Sequence, residues 1–164
     1  MSIFHLKWPH WKHEEDSLRG IRTAARRGYD WIDLDLQMTK DNVVVVTHWS
    51  RPMRKDHFRD PRSLIDPNTS VRHLTWDQLR RLRTTDGYRI IRVEHALRAC
   101  HRYGIGAYLE PKGDPRFDSD APWQHIAQVA DDFGTHVRVR ALRVNQNALI
   151  PAHRAGFQTN VIPR

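Results

Sequence analysis

Between Trp31 and Leu36 apolar and acidic positions alternate, so an extended chain puts Ile32, Leu34 and Leu36 on one face and Asp33 and Asp35 on the other. Short apolar runs of the same kind predict strands near residues 3, 33, 45, 108, 140 and 160. Between them the apolar spacing turns helical. Leu18, Ile21, Ala24 and Ala25 predict a helix over 14–27, stopped by Gly28. Thr75 and Gln78 form a capping box ahead of Leu79 and Leu82. Val93, Ala96, Leu97 and Cys100 mark a helix that Gly104 closes, and 122–133 and 147–155 read as two more. Strands alternating with helices predict an α/β fold with a parallel sheet and crossover connections. Residues 49–70 are polar and carry Pro52, Pro61 and Pro67, so they read as one long loop.

Composition narrows this picture. A chain of 164 residues with 39% apolar content and six tryptophans is long enough for one domain, taken as 1–164, and too apolar to stay disordered. No run of 18 apolar residues predicts a membrane span, and the first residues lack the apolar core of a secretory signal. A lone cysteine, Cys100, allows no internal disulfide, so the expected location is cytoplasmic. The net charge of +8 comes from 22 arginines and five lysines against 19 acids. It points to anionic partners: phosphate esters, lipid head groups or nucleic acid. The basic residues are spread along the chain and no groove-reading helix or aromatic RNA motif accompanies them, so nucleic acid ranks last.

The chemistry concentrates at strand ends. Asp33 and Asp35 side by side on an apolar strand repel each other and call for a cation between them. Glu110 shares a face with Tyr108 and Lys112, while His5 and His48 each end an apolar run. Three carboxylates suit a hard divalent ion, Mg²⁺, Ca²⁺ or Mn²⁺, and two imidazoles suit an acid and a base near neutral pH. The residues alone leave plainer options open: an acidic surface strand facing arginines, His10 or His13 in place of His5, and Lys112 as a solvated loop residue.

In order, the chain carries His5, then Glu15-Asp16-Ser17 opening a helix, then Gly28-Tyr29-Asp30. Asp33-Leu34-Asp35-Leu36 follows, with Thr39-Lys40-Asp41-Asn42, a valine strand running into Thr47-His48-Trp49, and later Leu109-Glu110-Pro111-Lys112. This order resembles the glycerophosphodiester phosphodiesterase family over about residues 3–112. The resemblance implies a TIM-type (β/α) barrel, here shortened to about six strands, with a divalent metal ion held by Asp33, Asp35 and Glu110. It also implies acid–base catalysis by His5 and His48, a substrate phosphate held by Lys112, and hydrolysis of glycerophosphodiesters to an alcohol and sn-glycerol 3-phosphate. Mg²⁺ or Ca²⁺ is the expected ion.

Three positions depart from the family pattern. Asp33 stands where the family has a glutamate, Leu6 where it has a phosphate-contacting arginine, and Trp49 where it has an aspartate. The arginine's charge is then expected from Lys7, Lys12 or Lys112. These departures leave two alternatives: a non-catalytic barrel that keeps a metal or phosphate site, or a phospholipase D-like enzyme acting on a lysolipid head group. A barrel of six strands would leave edges for a second copy of the chain to cover.

Overall fold

The computed structural model describes residues 3–4, 16–53, 58–84 and 87–162, with only the backbone of the first pair. His5, Leu6, Lys7 and Lys12 lie outside the described residues. The element order is β1 (Ile3–Phe4), α1 (Leu18–Arg26), β2 (Trp31–Met38), β3 (Val44–Val46), α2 (Trp76–Leu79) and β4 (Ile91–Arg92). It continues with α3 (Val93–Tyr103), β5 (Gly106–Pro111), α4 (Asp120–Phe133), β6 (Val137–Leu142), α5 (Leu149–Arg154) and β7 (Gln158–Ile162).

One sheet joins the strands in the order β4-β3-β2-β5-β6-β7, with β1 also paired to β2. The pairs β1·β2, β2·β5, β5·β6 and β6·β7 are parallel, as the βα alternation predicts. The six expected strands are all present, and the two-residue β4, too short to leave a period, is the seventh described. β3 corrects the expectation of an all-parallel sheet. It runs antiparallel to β2, with Leu36 opposite Val46 and the Thr47 N–H donating to the Asp35 carbonyl at 2.8 Å. Only the short turn Thr39–Val43 separates the two strands, which suffices for a hairpin and not for a crossover.

The helices cover one face of the sheet. Ile32, Leu34, Leu36, Ala107, Leu109, Val139 and Ala141 from the strands are fully buried against Ile21, Leu97, Cys100, Trp123 and Ile126. Trp123 also donates its indole N–H to the Phe117 carbonyl at 2.8 Å, so its polar atom is satisfied inside the core. Cys100 is buried on α3, and burial pushes its thiol up to about 12. Gly104 ends α3 at φ 65°, the left-handed cap that a side chain would strain.

The described residues of the expected loop at 49–70 form no helix or strand. They fold over a second small core of Val45, Met53, Val71, Leu74, Leu79, Leu82 and Ile90. The capping box is present, with Thr75 accepting from the Gln78 N–H and Gln78 reaching back to the Thr75 N–H. No described helix is long and apolar enough to cross a membrane.

On the opposite face Trp31 lies across from Gly106, and a Cβ at Gly106 would stand 2.6 Å from the Trp31 ring. That ring cannot easily move aside, because Tyr108 packs on it at 5.0 Å and the Arg138 guanidinium lies over it at 4.6 Å. Gly106→Ala is therefore expected to lower stability by about 1–3 kcal/mol in denaturant unfolding. An unchanged midpoint would show that the aromatic stack yields.

Candidate functional site

β2 presents Asp33 and Asp35 on the face away from the helices, and the β2·β5 register sets Asp35 directly opposite Glu110. Oxygens of Asp33, Asp35 and Glu110 all lie within 4.8 Å of one another. The three side chains are 16%, 8% and 6% exposed, so the repulsion between them is poorly screened.

Four neighbours shape this cluster. Lys112 continues from β5 and bridges the opposed pair, its Nζ 2.5 Å from Glu110 Oε1 and 3.0 Å from Asp35 Oδ1. Burial works against its charge, but the two carboxylates outweigh burial and raise its pKa. Arg140 enters from β6 and pairs with Asp33, its Nε 3.9 Å from Glu110 Oε2. His48 Nδ1 lies 2.5 Å from Asp35 Oδ2, and its ring meets Trp49 edge-on at 4.6 Å. Asp16 accepts the Asp35 backbone N–H at 3.0 Å, on the stretch of β2 between its pairings with β1 and β3.

The antiparallel course of β3 explains the place of His48. A parallel strand would carry its last residue to the carboxyl edge, whereas β3 turns back and delivers His48 beside Asp35, inside the sheet. The structure thus brings together Asp33, Asp35, Glu110, His48 and Lys112, and His5 lies outside the described residues.

Arg140, Asp16 and Arg116 are missing from the expectations drawn from the sequence. Arg138 and Arg140 alternate with Val139 and Ala141, a period-two signal that was available. Asp16 entered only within Glu15-Asp16-Ser17, as part of the helix start in the family-like order, with no role at the site. Arg116 clamps the end of β2 by donating to the carbonyls of Thr39 at 2.7 Å and Met38 at 2.9 Å. It also pairs with Asp114 at 2.6 Å. Burial would raise the Asp114 carboxyl, but the bonds and charge of Arg116 and the charge of Arg72 overcome it and hold that carboxyl below its ordinary value.

Two concavities deserve comparison. The larger, about 820 Å³, is lined by Arg62, Arg80, Arg81, Arg83, Arg89 and Arg92 among others and includes none of the cluster residues. The smaller, about 490 Å³, has Lys112 in its wall together with Gln37, Arg51, Asp66, Arg72 and His73. Among the residues that line it, Lys112 is the one that belongs to the carboxylate cluster. Arg51 and Asp66 come from the 49–70 loop, which thereby forms part of the pocket wall.

The donor set fits a hard divalent ion: oxygens of three carboxylates lie within 4.8 Å of one another, the hard ligands that such an ion takes.

Comparison with known proteins agrees with this geometry. The sequence model of the glycerophosphoryl diester phosphodiesterase family matches residues 7–150. The human glycerophosphocholine phosphodiesterase GPCPD1 is 34% identical over 77 residues, which is 45% of this chain and 11% of that protein. A glycerophosphodiester phosphodiesterase from Parabacteroides distasonis superposes with a TM-score of 0.71 at 19% identity, covering 99% of this chain and 63% of that one. A phosphodiesterase from Oleispira antarctica, in complex with the product sn-glycerol-3-phosphate, gives 0.67 at 16% identity, covering 99% and 65%. The chain thus spans less than two thirds of either structure and about a tenth of the human protein. It shares the TIM-type α/β fold of these structures, its described strands forming one open sheet. With its family pattern matched over most of its length and its acidic cluster assembled on that fold, the chain belongs to the glycerophosphoryl diester phosphodiesterase family.

Proposed function

We propose that this chain hydrolyses a glycerophosphodiester to an alcohol and sn-glycerol 3-phosphate, using a divalent ion held by Asp33, Asp35 and Glu110. The observation that carries this reading is the meeting of three carboxylates with His48 at 2.5 Å from one of them. When bound, the ion would neutralise non-bridging phosphate oxygens. Mg²⁺ and Ca²⁺ both suit three carboxylates.

The chain's own groups supply the rest. Asp35 holds His48 through Nδ1, which assigns proton transfer to Nε2. His48 and His5 act as the acid–base pair, one protonating the departing alkoxide and the other activating the incoming hydroxyl. The part played by His5 rests on the family resemblance alone. Lys112, already between Glu110 and Asp35, holds phosphate charge at the pocket wall.

The test is hydrolysis of glycerophosphocholine by the purified protein, followed by release of sn-glycerol 3-phosphate. Chelation is expected to stop it and added Mg²⁺ or Ca²⁺ to restore it. Activity that survives chelation would remove the ion from the reaction. Silence across a panel of glycerophosphodiesters, in protein that binds the ion, would favour a binding module that does not turn over.

A further inference from the structure

We infer that Arg140 is a resident cation of the carboxylate cluster that changes partners. Its guanidinium holds Asp33 while the divalent ion is absent, and turns to the substrate phosphate when the ion takes Asp33. This rests on the metal-site reading above. The position of Arg140 follows from register. Leu109 pairs with Val139, so the next residue along β6 stands beside Glu110, on the face that carries the cluster. There the side chain is 11% exposed, lies 5.7 Å from the centre of the Tyr108 ring, pairs with Asp33 and approaches Glu110 Oε2 at 3.9 Å. A guanidinium this deep is held among groups of the site and does not sample solvent at a rim.

Competition decides what it does. Asp33 is one of the three proposed ion ligands and also the carboxylate that Arg140 pairs with. A divalent ion carries twice the charge at a shorter contact distance, so it wins those oxygens when present, but the ion must first displace the guanidinium. The displaced group is a planar fork of donors, and that geometry matches two oxygens of one phosphate. Lys112, between Glu110 and Asp35, adds a point charge to the same end but has no planar fork. Leu6, where the resemblance would place an arginine, brings no charge. The face of β6 supplies one.

A purely structural salt bridge predicts something else: loss of stability on substitution, with ion and phosphate affinities unchanged or falling together. The exchange of partners predicts opposite signs. Titration calorimetry with Mg²⁺ or Ca²⁺ alone, on the wild type, Arg140→Gln and Arg140→Lys, reads the first half. Titration of the ion-saturated proteins with sn-glycerol 3-phosphate reads the second. Arg140→Gln is expected to bind the ion about tenfold tighter and the phosphate about tenfold weaker, the size of one charged hydrogen-bonded contact. Arg140→Lys, which keeps the charge without the fork, is expected to shift both in the same directions by less, and it carries the test if the glutamine variant does not fold. Equal ion affinity in wild type and variants, or both affinities falling together, overturns the inference and leaves the metal site standing. A wild type that takes up no ion at all overturns the metal reading and this one with it.

Discussion

Replacing His48 by alanine is expected to lower turnover of glycerophosphocholine by about 10²–10⁴-fold, the usual cost of losing a positioned acid or base. His48 is half-buried, and Asp35 Oδ2 at 2.5 Å from Nδ1 fixes which nitrogen faces a substrate. That carboxylate also stabilises the protonated ring, so His48 can carry the proton it receives. The change keeps all three proposed ion ligands and removes one hydrogen bond to Asp35, so ion affinity measured by calorimetry should stay within a few-fold of wild type while turnover collapses. Undiminished hydrolysis in this variant would sink the proposed acid–base role.

Asp35→Asn is expected to do more damage from a smaller change. One carboxylate serves His48 through Oδ2, Lys112 through Oδ1 at 3.0 Å, and the proposed ion. The amide keeps the shape but loses the charge on which all three depend. Turnover should fall by about 10³-fold or more, and unlike His48→Ala the substitution should also weaken ion binding. Combining the two should cost little beyond Asp35→Asn alone, because the imidazole has already lost its orienting partner. An Asp35→Asn protein with wild-type ion affinity would take Asp35 out of the ligand set. Full additivity in the double variant would show that His48 works without Asp35.

Much of the site was legible because it lies on strands with a clear period of two. Asp33 and Asp35 fall on one face of β2, Glu110 on the same face of β5 with Lys112 just past that strand's end, and the helices cover the other side. The capping box at Thr75 and the glycine stop at Gly104 were legible for the same local reason. Strand direction was not. A run of valines from Val43 to Val46 reads the same in either direction, and only the short turn before it hinted at a hairpin. Nor could partners from distant segments be assigned. Arg140 meets Asp33 because β5 separates β6 from β2 by one strand, an adjacency that exists only once the sheet is assembled. Arg116 reaches back across more than seventy residues to the turn after β2, and nothing in its own neighbourhood announces that.

The single cysteine gives this domain a built-in clock. Cys100 sits on the sheet-facing side of α3 with no exposure, and its thiol is pushed up to about 12, so at neutral pH it is neither reachable nor ionised. Alkylation can proceed only in molecules where α3 has lifted from the sheet. The rate at which a thiol reagent labels the native protein therefore counts openings of the core, with no other cysteine to blur the count. Whatever binds only the closed form slows that count in proportion to its occupancy. The ion, the phosphate and any partner could each be weighed through a residue that touches none of them.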